Sequence, residues 1–511
     1  MPNSSVNNKR IAKNTIYLYI RMLFVMAVGL YTVRAILDIL GVLDYGIYNV
    51  VGGIVTMFAF MNRTLSTSSQ RYFSIELARG DRDRLSKWFC LNITSFGLLG
   101  LVIAFFLETI GLWFLNTQMT IPEERMTAAN VVYQLSIISF LFHIISVPYL
   151  ALIIAHEKMN FFAYVGIFEA VGRLAIVFIL MMLTYDKLIV YGILILFLTV
   201  CVSMSYLLYC WKYYPESKYR WYWNTIEVKE LFGFSGWHFL GTFSTTCRSQ
   251  GINILLNIFF NPTVNAARAV AFQVNSHIMQ LSSNFFTAIK PQIYKSYAKG
   301  EFEELFKLIM RGTIISTFLV SIITFPVLSS TSYLLGLWLK EVPDYTVIFT
   351  QLVLVNGLID ATNGPPIAAS LATGRIKKYM LTVSLIILAN VPISYIALRM
   401  GCDPTVTMII SIILSCVAIV VRAYLLKCMI GFPMGKYMFL MVKIAIVSLL
   451  MLLGINLAVY DSVRSMLGLI LVSLALSGVL SLLYCLILSP NDRRYIIQTI
   501  KQKVFHKTTI K

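Results

Sequence analysis

Inside stretches that are otherwise apolar, this 511-residue chain places the basic side chains Arg21, Arg34, Arg63, Arg173, Arg248, Arg268, Arg422 and Lys443 and the acidic side chains Glu108, Glu169 and Asp360. A charge near the middle of a bilayer costs roughly 2.5–3.5 kcal/mol on insertion scales, so such groups normally face a water-filled space or a partner. The excess of cations over carboxylates suits an anionic cargo. The planar, multi-donor guanidinium suits phosphate in particular.

The individual positions carry different chemistry. Asn14, Tyr17, Arg21 and Thr32 fall near one helical face, so Arg21 either lines a cavity or snorkels to the inner interface. Arg34 is close to the outer end of the same span and points away from that face; snorkelling is the better reading for it, with a place in an anion-binding cavity as the alternative. Arg248 lies near the middle of a span, inside Ser244-Thr245-Thr246-Cys247-Arg248-Ser249-Gln250. A polar run at that depth lines a cavity or forms a helix–helix hydrogen-bond network. Arg268 opens the next span and shares a face with Asn275, seven residues on. His277 reads as a packed histidine before it reads as a proton relay. Glu169 and Arg173 are four apart and form either a self-neutralising pair or a switchable one in a transport cycle. Arg63 and Arg422 lie near inner helix ends and are expected to snorkel.

The run Asp360-Ala361-Thr362-Asn363-Gly364-Pro365-Pro366 interrupts an apolar stretch near its middle. Two prolines remove two backbone donors and clash with the preceding turn, so the helix must kink or break there. Gly364, Pro365 and Pro366 form a candidate hinge, with a purely structural kink as the alternative. Asp360 beside them is the candidate for a coupling H+ or Na+.

The elements that position these groups are membrane spans. The chain is 58% hydrophobic and 13% charged, and apolar runs of about 20 residues, long enough to cross a bilayer, recur throughout. Spans are expected near 14–37, 46–68, 89–114, 127–154, 161–184, 188–211, 231–259, 264–289, 312–337, 346–372, 379–398, 405–426, 437–459 and 465–488. The fold class is therefore all-α and polytopic, with about 14 transmembrane helices. These divide into an N-terminal bundle (1–212), an inner linker (213–230), a C-terminal bundle (231–430), an appended helix pair (431–490) and a basic tail (491–511). With the N-terminus inside, outer loops hold only Arg125, Lys187, Lys340, Arg399 and Arg464, while inner segments hold most of the remaining Lys and Arg. That asymmetry puts both termini in the cytoplasm and accounts for the net charge of +19 without any nucleic acid. The linker run Trp211 to Trp223, aromatic and basic, has the character of an interfacial belt. Residues 301–311 have the pattern of an amphipathic helix on the inner surface.

Other chemistries find no support. There is no phosphate-binding G-x-x-x-x-G-K-[ST] loop and no H-E-x-x-H. The eight cysteines form no C-x-x-C pair, and only Cys402 falls in an outer loop, so neither a disulfide framework nor a zinc site is expected. No extracytoplasmic domain exists to carry paired catalytic carboxylates, and an enzyme is not expected. No cofactor is expected beyond the coupling ion.

Ala78-Arg79-Gly80-Asp81 recurs as Ala298-Lys299-Gly300-Glu301, each copy in a basic loop after the second span of its half. The halves therefore read as duplicates, the six-helix bundles being pseudo-symmetric. Leu40-Gly41-Val42-Leu43-Asp44-Tyr45-Gly46-Ile47-Tyr48-Asn49-Val50-Val51 resembles the first outer loop of bacterial polysaccharide-unit (Wzx-like) flippases. Ala78–Asp81 fits their following inner loop, and Ala372-Thr373-Gly374-Arg375-Ile376-Lys377-Lys378-Tyr379 resembles their loop between spans ten and eleven. That family belongs to the multidrug/oligosaccharidyl-lipid/polysaccharide exporter (MOP) superfamily.

The resemblance implies a V-shaped two-bundle fold, alternating access and a lipid-linked oligosaccharide as cargo. By that analogy Arg21, Arg248 and Arg268 meet the pyrophosphate. Surface glycan (O-antigen, capsule or exopolysaccharide) would be the end product and the bacterial cytoplasmic membrane the location. Membrane lipids, a polysaccharide polymerase and a chain-length regulator are the implied partners of a monomeric protein. Two relatives compete: a multidrug or organic-cation antiporter of the same superfamily, which favours interior acids, and the peptidoglycan-precursor flippase.

Overall fold

The computed structural model describes residues 2–56, 59–117, 121–183, 185–260, 262–339, 342–458 and 465–487. Lys340, Arg464 and the basic tail from 491 lie outside the described residues, as do the side chains of Arg34 and Arg63. Among the described residues every regular element is a helix. Among the described residues the expected spans fall on helix, apart from the end residues 183, 405 and 465 and the breaks at 330, 361–363 and 389. Nine helices among the described residues are long and apolar enough to cross a membrane, from Arg82–Thr117 to Met466–Ile487. The chain is a polytopic all-α membrane protein.

Several helices are broken, each for a local reason. The segment read as the first outer loop is cut to a single-residue break: two helices meet within Pro2–Thr56 at a kink on Gly41, whose φ is 77°. Glycine reaches that left-handed conformation without the Cβ penalty of other residues, so one residue suffices to turn the chain. Residues 107–111 form a single π turn. There the Tyr133 hydroxyl donates to the Leu107 carbonyl at 2.7 Å. A Cβ at Gly111 would sit 2.1 Å from that hydroxyl, so glycine is what makes room for the crossing. The amphipathic surface helix expected at 301–311 is instead the start of helix Phe302–Ser329. No Pro or Gly lies between Phe302 and Arg311 to end it before the membrane span begins.

The duplicated loop is duplicated in three dimensions. Gly80 and Gly300 have φ of 75° and 73°. The Asp81 amide donates to the Glu76 carbonyl at 3.3 Å and the Gly80 amide to Leu77 at 3.3 Å. The Glu301 amide donates to Ser296 at 3.0 Å and the Gly300 amide to Tyr297 at 3.1 Å. This is the left-handed glycine cap that closes a helix C-terminus, used twice at the same sequence offset.

The chain forms two compact units, 1–239 with 287–301, and 240–286 with 302–511. The division falls inside helices Thr225–Phe259 and Pro262–Ala298. In the first unit the aromatic and aliphatic core gathers Phe73, Trp88, Phe89, Phe96, Tyr133 and Leu152, all almost fully buried. Near the start of helix Glu123–Ala155, Arg125 bridges Asp44 and Asp186. Just past the end of that helix, Glu157 is the fixed point. Its backbone carbonyl accepts from Asn14 at 3.1 Å, and its carboxylate accepts from Lys295 and Gln292, each at 2.5 Å. Glu157 has φ of 61°, a left-handed backbone that costs a non-glycine residue roughly 1–2 kcal/mol. Charge-assisted bonds of this kind, worth about 1.5–3 kcal/mol each, offset that cost. In the second unit, Phe349, Val353, Leu256 and Ala271 form the buried core, and the break at 361–363 lies between helices Thr346–Asp360 and Gly364–Thr373.

Candidate functional site

The break positions the site. Helix Thr346–Asp360 ends on Asp360, and the next helix begins with Pro365 and Pro366 in its first turn, where missing amide donors cost nothing. Gly364 is held close: a Cβ there would lie 3.1 Å from the Phe286 ring. The expected interruption is thus a complete helix stop and restart. It brings the Asp360 carboxylate and the Asn363 side chain together at the break.

Asp360 accepts hydrogen bonds from the Asn356 amide at 2.9 Å and the Asn363 amide at 3.4 Å. It lies at a cavity of about 230 Å³ lined by Thr245, Arg248, Asn363, Ser415 and Arg422 with an apolar wall of Ile367, Ile387, Leu414 and Ala418. Five helical segments of the second unit therefore converge here. Arg248 supplies one cation from helix Thr225–Phe259, and Arg422 a second from helix Val406–Ile430. Arg422 is a correction: expected at the head groups, it lines the cavity. Its position four turns into a 25-residue helix did not reveal which way that helix is rotated.

The cavity carries two guanidiniums to one carboxylate. Arg422 Nε and Asn356 Oδ1 are buried without a hydrogen-bond partner. An unmet buried polar atom costs about 1–3 kcal/mol, so these two add to the cost of the charge held beside them. Arg268 lies within electrostatic reach of Arg248. It is 4% exposed, donates through Nη1 to the Asn253 side chain and stacks its guanidinium 4.3 Å from the Phe272 ring centre. Asn275 sits apart, its side-chain oxygen against Gly357, where a Cβ would come within 2.4 Å. The shared face of Arg268 and Asn275 thus serves two separate contacts.

The first unit holds its charges differently. Arg21 lies over helix Met159–Met182, with its guanidinium 4.3 Å from the Phe162 ring centre. A Cβ on Gly166 would fall 2.0 Å from Arg21 Nε, so the bare backbone of that glycine is the arginine's seat. Such a cation–ring contact is worth roughly 0.5–2 kcal/mol. Glu169 and Arg173 pair at 2.9 Å, four residues apart on one helix, with side chains 37% and 51% exposed. No cluster of three or more His, Cys, Asp or Glu with metal-ligand geometry occurs among the described residues.

No protein-family model matches the chain, and no curated protein matches it. Solved structures do. A multidrug-resistance MATE family transporter of the MOP superfamily, in an outward-facing conformation, is 14% identical; the match covers 83% of this chain and 97% of that one with a TM-score of 0.67. The MATE transporter ClbM in complex with Rb+ is also 14% identical, over 81% of this chain and 94% of its own, with a TM-score of 0.66. A MOP superfamily transporter from Pyrococcus furiosus, described as having a binding pocket of reverse polarity that suggests a different function, is 12% identical, over 82% and 96%, with a TM-score of 0.63. At these identities the likeness is one of fold, and that fold is the one of MOP-superfamily transporters.

Proposed function

We propose that the chain is a transporter of an anionic amphiphile, a lipid-linked oligosaccharide whose pyrophosphate is the recognised group, across the bacterial cytoplasmic membrane for surface glycan assembly. The observation that carries this reading is the cavity in which Arg248 and Arg422 outnumber Asp360. Guanidiniums grip phosphate oxygens through paired donors, and a water-poor site strengthens the grip. The cavity is sized for a phosphoryl group, not for a whole glycan. Asp360 then acts as an internal counter-ion that an arriving phosphate displaces. Its release to take up H+ or Na+ would tie transport to an ion gradient, since a ligand drives a conformational change only through differential affinity for two states. A polysaccharide polymerase and a chain-length regulator are the downstream partners in this scheme, and the working unit is a monomer. Arg34 stays with the Arg21 helix as an unplaced candidate.

Asp360 in the same cavity favours a second reading, an organic-cation antiporter, as do the multidrug descriptions of the fold relatives. Complementation of a deletion strain separates the two. With the pyrophosphate as cargo, Arg248→Gln combined with Arg422→Gln lowers surface glycan by tenfold or more, roughly the loss of one charge-assisted contact or beyond, at unchanged protein abundance and unchanged drug susceptibility. Normal glycan with drug hypersensitivity in the Asp360→Asn strain would instead establish the antiporter.

A further inference from the structure

Past the break, helix Gly364–Thr373 closes on Gly374, whose φ of 75° turns the chain, and helix Lys377–Leu388 follows at once. The Gly374 amide donates to the Leu371 carbonyl at 3.2 Å, and the Arg375 amide to the Thr373 hydroxyl at 3.2 Å. A left-handed glycine cap of this kind lets a chain change direction within a few residues. The turn brings Tyr379, which ends the motif Ala372–Tyr379, back to Ser370 on the preceding helix. Helix Lys377–Leu388 also packs on helix Val406–Ile430, which carries Arg422. Tyr379 and Ser370 are both buried, and the Tyr379 hydroxyl is within reach of the Arg422 guanidinium and of the Ser370 hydroxyl. Neither contact has the alignment of a strong hydrogen bond. The direction of each donor is nevertheless set by chemistry. A guanidinium only donates, so toward Arg422 the Tyr379 oxygen accepts, and its own proton is left for Ser370 Oγ. Ser370 in turn donates to the Pro366 carbonyl at 3.0 Å. One chain of donors therefore runs from Arg422 through Tyr379 and Ser370 to the first turn of the helix that restarts after Asp360. A phenylalanine would fill the same space without burying a hydroxyl, so what the tyrosine adds is this link. Tyr437, equally buried and near Arg422, instead donates to the Thr362 carbonyl at 3.4 Å.

We infer that Tyr379 is a positioning residue of the anion site: with Ser370 behind it, its hydroxyl holds the Arg422 guanidinium at the cavity beside Asp360. Arg422 lines that cavity and lies within electrostatic reach of Asp360. An arginine side chain has several soft torsions, and ordering them before the cargo arrives removes that cost from binding. The guanidinium keeps further N–H donors for an anion while one is engaged by the phenol. The link also ties the aim of Arg422 to the helix that restarts at the break. This deepens the transport reading and rests on it for the identity of the cargo. The positioning itself can be measured without cargo.

The test uses the full chain in phosphatidylcholine nanodiscs, with two readouts. Inorganic pyrophosphate is titrated as the probe by calorimetry, and NMR on isotope-labelled arginine follows the Nε–H signal of Arg422, identified by its loss in Arg422→Gln. In Tyr379→Phe the affinity for pyrophosphate is expected to fall about fivefold, the scale of one hydrogen bond, and the Arg422 signal to shift. Ser370→Ala should move the same signal in the same direction. Tyr437→Phe, which removes a hydroxyl that goes elsewhere, should leave affinity within about twofold of the parent. Adding Tyr379→Phe to Arg422→Gln should weaken binding no further, because a residue that acts through the arginine then has nothing to act on. A Tyr379→Phe effect equally large with and without Arg422 overturns the inference. So does an equal loss in Tyr437→Phe, or an Arg422 signal indifferent to Tyr379→Phe. If the parent binds no pyrophosphate while the Arg422 signal responds to Tyr379→Phe, the arginine-cavity reading falls and the positioning stands. If pyrophosphate binding depends on Arg422 while the signal ignores Tyr379→Phe, only the positioning falls.

Discussion

The two units use the same ingredients, an interior arginine, an acid and a second cation, and reach opposite results. In the first unit Glu169 is already paired with Arg173 on its own helix, and Arg21 is seated on Phe162 over the bare backbone of Gly166. In the second, Asp360 takes only side-chain amides as hydrogen-bond donors, and its two arginine neighbours come from other helices to line open space. The cause is what each acid's own helix offers it. Where a helix places a cation four residues from an acid, the two cancel. Asp360 finds the amide of Asn356 there instead, and its helix stops before a further turn can supply a cation. Charge in a membrane protein becomes a site when local geometry keeps it from self-pairing.

The sharpest way to break this comparison is to neutralise each acid without changing its size. Asp360→Asn leaves Arg248 and Arg422 facing each other with no counter-ion, and a bound phosphate is then no longer displaced. Glycan display should fall tenfold or more, since one unit of charge at a water-poor site is worth well over 1.4 kcal/mol. Glu169→Gln removes a pair whose members are 37% and 51% exposed. Exposed pairs contribute about 0–1 kcal/mol, so display should stay within about threefold of the parent. Equal losses in quantitative glycan staining would show that the first unit's pair is a working part, and the contrast between the units would be lost.

Much of this frame was legible in the residues. The duplicated Ala-basic-Gly-acid loop announced two equivalent helix ends, and both have the same cap. Prolines 365 and 366 announced the break, because their chemistry acts on their own backbone. What could not be read was anything requiring helix rotation or distant pairing. Arg422 looked like an end-of-helix snorkeller because its 25-residue helix is apolar nearly all round, and only packing decides which face meets Asp360. The Gly166 seat of Arg21 joins residues 145 apart in sequence, and no spacing rule links them. The break between the first two spans was legible too, but not that one left-handed residue, Gly41, would make it.

If the duplicated caps are equivalent, they should cost the same to damage. Gly80→Ala and Gly300→Ala each force alanine into φ near 75°, with open space around the new Cβ. The penalty is then purely one of backbone conformation, about 1 kcal/mol in each copy. Thermal unfolding of the purified protein should show two equal downward shifts. A markedly larger shift in one copy would mean that its loop carries tertiary contacts the other lacks, and the shared frame would hold in outline only.

The copies differ at several positions, and at one of them pH should expose the difference. Copy one has Glu76 where copy two has Ser296. Glu76 lies beyond the inner end of its span with a side chain 3% exposed, and burial holds its carboxyl above the ordinary range while Arg79 and Arg84 pull it down. A carboxyl with a higher pKa folded than unfolded binds more protons in the folded state. Stability at this position is therefore greatest below the unfolded value of about 4.3 and declines as pH rises through the folded value, with no further change above it. Glu76→Gln, neutral at every pH, should flatten that slope by a few tenths of a kcal/mol, the scale expected where two arginines already offset burial. The comparison variant Ser296→Ala should leave the slope as it is. A parent melting temperature that instead rises across the same window would mean that the arginines outweigh burial, and that the first copy of the loop is tightened, not loosened, by the charge the second copy lacks.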